Sequence, residues 1–313
     1  MATTRTTFLS ASLAAAFAAA SLPSAAQQQR DPFMPLCAPT GEVRVAIDVR
    51  PGNNMPVVKC AIEGRPLTML FDTGATHTTL DEGFVRRELP DRTLEKVMLA
   101  GITNVEQAPS LFHADSFKVG DAEFSDFSVM VLPLGHLESS VGVKVDGIIG
   151  MNVIGRVWTL VSFGAGEAYF MPARARVVGE GSLGFSKQAP RIAQDPFSVL
   201  LKATHSDRPF TLIVDSAASI TMLSESVGWP ASGESVTTSV SDVNASGSGM
   251  SSRLGAEGEL ELGVPLRIRP VIVPGSTHDA NRIGADTLRR YDILIGPFGR
   301  GAAFRPYAPQ EAK

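Results

Sequence analysis

The chain reads GRPLTMLFDTGATHTTL from residue 64 to residue 80 and DRPFTLIVDSAASITML from residue 207 to residue 223. The two stretches align without a gap, residue 64 with residue 207, and seven of the aligned positions are identical. In both, an apolar run leads into an acidic residue, Asp72 in the first and Asp215 in the second. A repeat of this length predicts that the chain contains two copies of one structural unit.

A second repeated block follows each copy. The chain reads IGMNVI at residues 149–154 and IGADTL at residues 283–288. The interval from the Asp to the Gly of this block runs from position 72 to position 150 in the first copy and from 215 to 284 in the second, so the second copy is shorter. Loops tolerate such length changes better than the strands they connect. Two ordered blocks with unequal spacing thus favour a duplicated domain over a chance likeness of two apolar strands.

The remainder of the chain has the pattern of an all-β protein. Short runs rich in Val, Ile, Leu and Phe alternate with clusters of Gly, Pro, Asn and Asp, which is typical of strands joined by turns. Segments 84–89 and 285–291 are predicted to form short helices. The runs predicted to form strands are residues 43–49, 57–62, 67–71, 127–132, 210–214 and 266–273.

The turn after the first apolar run carries the candidate chemistry. Asp72 places a carboxylate at the end of the run, and Gly74 permits a close approach of the backbone. Thr73 can form a hydrogen bond to the equivalent turn of the second copy. Asp-Thr-Gly alone is a weak signal, because structural turns use the same residue types. The apolar strand before it, the Asp-Gly-Ile-Ile-Gly block at 146–150 and the repetition of the whole arrangement make the signal strong.

Together these motifs resemble the aspartic peptidases of the pepsin and retropepsin type. The resemblance extends over residues 43–304 and implies a bilobal acid-protease fold, in which two β-barrel-like lobes meet at the active site. It also implies that Asp72 and Asp215 are the catalytic pair. The residues that would support the pair are Thr73, Gly74, Ser216 and Ala217.

Two carboxyls about 3 Å apart do not both ionise cheaply, so such a pair shares one proton. One carboxylate then acts as general base on a water, while the other carboxyl protonates the scissile carbonyl oxygen. This chemistry requires no metal and no cofactor. The expected activity is that of an aspartic-type endopeptidase with a bell-shaped pH profile.

The second copy departs from the family pattern. Residues 282–284, Arg-Ile-Gly, match the apolar-apolar-Gly element of the family less well than Ile-Ile-Gly at 148–150. Ala217 stands where the family normally has Gly. Its Cβ would cost about 1–2 kcal/mol if the position required a positive φ, and nothing if φ is negative. Ala75 and Ala218 replace the Ser or Thr of pepsin-like enzymes, which predicts a working pH nearer neutral.

Two segments are candidate flaps, residues 96–107 and residues 237–252. Neither contains the Tyr that pepsin-like enzymes place at the flap tip. The first resembles the flap of retropepsins, so Gly101 and Ile102 are expected to line the substrate cleft. The Gly- and Ser-rich part of the second, residues 244–252, is either another flap or a disordered loop. A cleft of this kind suits an extended peptide or protein substrate held by backbone hydrogen bonds.

Length and composition restrict the class of protein. The chain has 313 residues, enough for two domains, and its 44% hydrophobic and 19% charged residues are typical of a soluble globular protein. A net charge of −4 gives no reason to expect nucleic acid as a partner.

Residues 1–26 resemble a secretory signal peptide, with a positive start, an Ala-rich apolar run and small residues before a cleavage point. We therefore expect export to the periplasm or the exterior, without stable membrane insertion after cleavage. The expected mature chain has an N-terminal arm (27–42), an N-terminal lobe (43–173), a linker (174–194) and a C-terminal lobe (195–313). One chain supplies both half-sites, so a monomer is expected rather than a dimer.

The two cysteines, Cys37 and Cys60, either form a disulfide in an oxidising compartment or remain as two structural thiols. The five histidines show no ligand spacing, so no metal site is predicted. A serine hydrolase is disfavoured because the chain has no G-x-S-x-G elbow. The main alternative to a peptidase is a catalytically inactive exported protein that binds peptides on the same fold.

Overall fold

The protein is mostly β-strand, and the all-β prediction is confirmed. The computed structural model describes residues 7–11, 31–49, 52, 54–96, 109–174, 198–242, 246–262, 264–274, 281–299 and 301–308.

The part of the chain before residue 175 contains fourteen of the described strands and three short α-helices. The helices are α1 (Glu82–Glu88), α2 (Glu138–Val141) and α3 (Met151–Ile154), with a 3-10 turn at Gly135–Leu137. The strands are β1 (Thr7–Ala11), β2 (Val43–Ala46), β3 (Asp48–Val49), β4 (Pro56–Ile62), β5 (Arg65–Phe71), β6 (Thr79–Asp81), β7 (Glu95–Lys96), β8 (Ser110–Ala114), β9 (Phe117–Val119), β10 (Ala122–Phe124), β11 (Phe127–Leu132), β12 (Gly147–Ile149), β13 (Trp158–Ser162) and β14 (Glu167–Met171).

The part after residue 197 contains the other eleven described strands and one α-helix, α4 (Ala285–Leu288). Two 3-10 turns lie at Glu225–Val227 and Pro297–Gly299. The strands are β15 (Leu200–His205), β16 (Arg208–Val214), β17 (Met222–Ser224), β18 (Ala231–Asp242), β19 (Ser246–Gly255), β20 (Gly258–Glu261), β21 (Pro265–Ile268), β22 (Val271–Val273), β23 (Arg282–Ile283), β24 (Tyr291–Ile295) and β25 (Ala302–Pro306).

The two halves repeat one strand arrangement around the candidate site. In the first half, β12 pairs in parallel with β5 and antiparallel with β6, and β6 pairs in parallel with β11. In the second half, β23 pairs in parallel with β16 and antiparallel with β17, and β17 pairs in parallel with β22. Each acidic residue of the sequence repeat therefore follows a strand, β5 or β16, that is held between an antiparallel neighbour and a parallel one.

The sheets extend outward from these central strands. The ten-stranded sheet of the first half has the order β10-β9-β4-β5-β12-β6-β11-β8-β7, with β3 on β4. The eight-stranded sheet has the order β1-β18-β19-β22-β17-β23-β16-β15, and β20 and β21 form a separate pair. A five-stranded sheet, β2-β14-β13-β24-β25, takes strands from both halves because β13 pairs antiparallel with β24. The halves are thus joined by main-chain hydrogen bonds as well as by the candidate site.

Burial explains why these segments are strands and not helices. In β4 and β5 most residues are buried, including Ile62, Met69 and Phe71, as expected for strands covered on both faces. The central strands are therefore rigid supports for the turns that follow them.

Helix α1 begins where strand β6 ends, because the Asp81 side chain accepts a hydrogen bond from Phe84 N at 3.0 Å and caps the helix.

The helix predicted at 285–291 is too long. Helix α4 ends at Leu288, and Tyr291 starts β24, whose five residues are all buried. The helix predicted at 84–89 is α1, which begins two residues earlier.

No helix within the described ranges is long and apolar enough to cross a membrane. Residues 1–26 lie outside the described part except for β1, which pairs in parallel with β18. The predicted linker lies almost wholly outside it too.

Candidate active site

Asp72 lies on the turn after β5 and is 3% exposed. Its backbone N–H donates to Ile149 O at 3.0 Å, which fixes the start of the turn against β12. Its side chain points back into the turn, where Oδ1 accepts hydrogen bonds from Gly74 N at 2.8 Å and Ala75 N at 3.1 Å. The carboxylate is therefore held by the backbone of its own turn.

Asp215 lies on the equivalent turn after β16 and is fully buried. Its N–H donates to Ile283 O at 3.0 Å, and its Oδ1 accepts hydrogen bonds from Ala217 N at 3.1 Å and Ala218 N at 2.9 Å. Every bond has its counterpart in the Asp72 turn at the aligned position of the sequence repeat. Both turns thus present a carboxylate in the same way.

Thr73 and Ser216 join the two turns. Thr73 N donates to Ser216 Oγ, and Ser216 N donates to Thr73 Oγ1, both at 3.0 Å. The hydroxyls donate in turn to carbonyls of the opposite strand ends, Thr73 Oγ1 to Val214 O and Ser216 Oγ to Phe71 O, both at 2.7 Å. Both side chains are fully buried. Four buried hydrogen bonds therefore fix the two carboxylate turns against each other.

Each turn rests on a glycine that admits no side chain. A Cβ on Gly150 would lie 2.5 Å from the carbonyl carbon of His77, and a Cβ on Gly284 would lie 2.3 Å from that of Ile220. The backbone approaches this closely because Met151 N donates to Ala75 O at 2.8 Å and Ala285 N donates to Ala218 O at 2.7 Å. The Ile-Gly step is therefore a contact between backbones, which only glycine permits.

The carboxylates of Asp72 and Asp215 interact electrostatically. Burial is the main cause that raises the pKa of the Asp72 carboxyl well above its usual range, and the charge of Asp215 raises it further. The hydrogen bonds from Gly74 and Ala75 and the charge of Arg282 oppose this rise without reversing it. Asp72 is therefore a carboxyl group that retains its proton above the ordinary acid range.

A cation lies beside the second carboxylate. Arg282 Nη1 is 2.9 Å from Asp215 Oδ2, and the side chains of the two residues are 6% and 0% exposed. The corresponding residue of the first half is Ile148, which is apolar and buried. The two halves therefore share their backbone geometry and differ in the charge beside the carboxylate.

The first half of the chain matches a known family. Residues 58–153 fit a sequence-family model described as "Aspartyl protease", and this range contains Asp72, Thr73, Gly74 and Gly150. This part of the chain is therefore similar to the aspartyl protease family. Similar solved structures include the crystal structure of a retropepsin-like aspartic protease from Rickettsia conorii, at 15% identity and a TM-score of 0.29, which covers 44% of this chain and 94% of that chain. A comparison with curated proteins gave no match.

The family match ends before the Asp215 turn, so the place of the second half in the candidate site rests on the hydrogen bonds of its own turn. Ala217, the departure from the family pattern, fits without strain: among the described residues with a positive φ, neither Ala217 nor Gly74 occurs. The Ala217 methyl packs in an apolar cluster with Leu70 and Ile148 of the first half. The residue thus adds a contact between the halves instead of displacing Asp215.

Sequence reasoning missed a second pair of supports for the two carboxylate turns. Asn152 Oδ1 accepts from Thr78 N and Thr78 Oγ1, both at 2.8 Å, and Asp286 Oδ1 accepts from Thr221 N and Thr221 Oγ1, both at 2.8 Å. The two repeated blocks contain all four residues at matching positions, which is the signal that could have found them. In the sequence, Arg282 differs from the apolar residue expected at its position, and this difference predicted no role for it.

The structure describes only one of the two candidate flaps at its Gly-rich part. Gly101 and Ile102 lie outside the described residues. Within the second candidate flap, β18 and β19 pair antiparallel as a hairpin, so its Gly- and Ser-rich part forms strand from Ser246 onward.

Cys37 and Cys60 are free thiols, so the disulfide considered from sequence is not formed. Burial raises the pKa of the Cys60 thiol, which accordingly is an inert core group, whereas Cys37 is exposed. No group of three or more His, Cys, Asp or Glu side chains in the described part of the chain is arranged to hold a metal ion.

Proposed function

We propose that this protein is an aspartic-type endopeptidase in which Asp72 and Asp215 activate a water molecule for attack on a peptide carbonyl. The observation that carries the proposal is the reciprocal link between Thr73 and Ser216, which holds two equivalent carboxylate turns together in one chain. A purely structural turn has no need of a buried carboxylate that interacts with a second one, because the desolvation of such a pair is costly.

The chemistry follows from one proton shared by two carboxyls. The ionised carboxylate takes a proton from the water as the water oxygen bonds to the carbonyl carbon, and the protonated carboxyl gives its proton to the carbonyl oxygen. When the resulting diol collapses, the C–N bond breaks, the newly protonated carboxyl gives its proton to the leaving nitrogen, and one diol hydroxyl gives its proton to the other carboxylate, so the pair ends with one proton as it began. The raised pKa of Asp72 supports this scheme, because it keeps a proton on the pair above the usual pH range of a carboxyl group.

The proposal extends to substrate, assembly and location. The substrate is a peptide or protein in extended form, the acting unit is a single chain because both carboxylates come from it, and the chain is exported after removal of residues 1–26. The repeated half-sites and the signal-like residues 1–26 support the single chain and its export.

A second function is favoured by one observation. Arg282 donates to Oδ2 of Asp215, an oxygen that would have to accept the proton of an attacking water. On this view the protein binds peptides in the cleft without cleaving them.

Peptide cleavage by the full chain from about pH 3 to pH 8 separates the two functions. The peptidase proposal expects cleavage of a mixed peptide library by the wild type, and a loss of at least about a hundredfold in Asp72→Asn and in Asp215→Asn. Asn preserves the size of the side chain and its hydrogen-bond acceptor. An inert wild type that still binds peptides, or an Asn variant with full activity, would establish that the carboxylate pair is not catalytic.

A further inference from the structure

Arg282 is a buried cation in a position that the fold defines closely. It lies in β23, where its backbone pairs with Ile213 of β16 and Met222 of β17. Strand β16 ends just before Asp215, and Arg282 lies on the neighbouring strand β23. The Arg282 guanidinium therefore lies 2.9 Å from the Asp215 carboxylate. Since both side chains are almost fully excluded from water, this ion pair is screened little by solvent.

The ion pair makes the two carboxylates unequal. Asp215 is stabilised as an anion at both oxygens, by two backbone N–H groups at Oδ1 and by the guanidinium at Oδ2. Asp72 has two equivalent N–H donors at Oδ1, while Ile148 is the counterpart of Arg282 in its half. Hydrogen bonds and opposite charges favour the ionised form of an acid. The negative charge of the pair is therefore stabilised more strongly on Asp215.

The charged groups around Asp72 agree with this assignment. Asp72 is faced by Asp215 and by Arg282, and among the causes acting on its pKa the lowering by Arg282 is the smallest. Two other ionisable groups lie on the supporting loops with hydrogen bonds of their own. His77 Nδ1 is 2.8 Å from Thr76 Oγ1, and Asp286 accepts from Thr221 and Thr287.

We propose that Arg282 is a positioning residue that keeps Asp215 as the carboxylate of the pair and leaves the transferable proton on Asp72. This rests on the proposed peptidase function and assigns its two roles before substrate binds. Asp215 accepts the proton of the water when the water O–H bond breaks and the new C–O bond forms. Asp72 gives its proton to the carbonyl oxygen, which receives the electron pair of the broken π bond.

The first test is the pH dependence of kcat/KM in wild type, Arg282→Met and Arg282→Lys. Without the cation, the negative charge of the pair loses its opposite charge at 2.9 Å, so the acid limb of the Arg282→Met profile moves to higher pH. The basic limb, set by Asp72, moves up by less, because Arg282 affects Asp72 only weakly. Arg282→Lys keeps the charge and holds both limbs near the wild type. Arg282→Ile, which copies Ile148, serves as the uncharged variant if Met is not accommodated.

Two results would overturn the proposal. One is an Arg282→Met profile with both limbs in place. The other is an equal loss of activity at every pH in the Met and Lys variants, because that indicates a packing role. Arg305→Met is the control: it removes the 2.7 Å ion pair with Asp292 in the shared sheet and is expected to leave both limbs unmoved.

The second test needs no activity. Denaturant unfolding of wild type, Arg282→Met, Asp215→Asn and the double variant is measured at several pH values. We expect each single variant to be destabilised, since each leaves one charge of the pair buried alone, and the double variant to recover much of the loss. Additive losses would overturn the ion-pair assignment. A chain that cleaves no peptide yet shows the recovery rejects the peptidase function while supporting the unequal charge of the pair.

Discussion

Thr73 and Ser216, far apart in the chain, each donate a backbone N–H to the hydroxyl oxygen of the other at 3.0 Å. The same two hydroxyls donate to the carbonyls of Val214 and Phe71, the residues that precede the two aspartates. The position of each carboxylate is therefore determined by the opposite half of the chain. A disturbance on one side is expected to be felt on the other.

Thr73→Val is expected to weaken both the fold and the site. Val has the shape of Thr without the hydroxyl, so the Ser216 N–H and the Val214 carbonyl each lose a buried partner, at about 1–3 kcal/mol apiece. Denaturant unfolding measures the loss. Thr73→Ser, which retains the hydroxyl, is the control and should remain within about 1 kcal/mol of wild type. Equal stability of the Val and Ser variants would show that the link does not hold the halves together.

Asp72→Asn is expected to stabilise the protein at neutral pH while abolishing cleavage. The folded-state pKa of Asp72 is raised, so the folded chain binds more protons than the unfolded chain between the ordinary carboxyl range and that raised value. The contribution of Asp72 to stability therefore falls as pH rises through this window, and Asn removes the fall. Unfolding free energies of both proteins across the acid-to-neutral range measure the difference. A wild type and an Asn variant with parallel pH dependences would contradict the raised pKa.

Gly150→Ala and Gly284→Ala are expected to be severely destabilising. The added methyl carbon would lie 2.5 Å or less from the backbone of His77 or Ile220, which has no flexible end that can move aside. We expect a loss of about 3 kcal/mol or more in either variant. Gly135→Ala is the matched control, because nothing lies within 4 Å of its Cβ position. Thermal unfolding of the three variants would refute the close contact if all behaved alike.

Ala217→Gly tests whether the departure from the family pattern harms the site. Ala217 has no positive φ and its methyl lies in the apolar cluster that contains Leu70 and Ile148, so Gly relieves no strain and removes a buried methyl group. The expected result is a loss of about 1 kcal/mol in stability with no gain in cleavage rate. A Gly variant that is both more stable and more active would mean that Ala217 displaces Asp215.

Asp286→Asn and Asn152→Asp exchange the supports of the two turns. Burial raises the pKa of Asp286, so its contribution to stability also falls as pH rises from the ordinary carboxyl range, and Asn should remove that dependence.

Asn152 Nδ2 donates to Phe33 O at 2.7 Å, a bond that a carboxylate cannot make. Asn152→Asp is therefore expected to cost about 1–3 kcal/mol or more at neutral pH. Unfolding at two pH values checks both, and a stable Asn152→Asp chain would contradict the second.

The repeat and its spacing determined most of the backbone of the site. Asp72 and Asp215, the hydroxyl residues after them and the two Ile-Gly steps all lie at positions that the alignment of the two repeated blocks predicted. The sequence could predict these residues because backbone geometry restricts residue type. Few residues suit a turn that holds a buried carboxylate, and only glycine suits a backbone contact that leaves no room for a Cβ.

Other features depended on contacts between segments far apart in the chain. Whether Ala217 was strained required its φ angle, and whether Cys37 and Cys60 were paired required their separation, neither of which a pattern of residues contains. The role of Asn152 and Asp286 likewise rests on which hydroxyl each faces.

By itself, then, the sequence determined an all-β chain with two carboxylate turns whose motifs resemble those of aspartic peptidases. Only the tertiary structure decided that these turns are unequal. Arg282 stands in the sequence as one polar residue in an apolar pattern, and its charge matters because β23 lies beside β16 and brings the guanidinium within 2.9 Å of Asp215. Electrostatic energy depends on distance and burial, and both are set by the packing of strands that are remote in sequence.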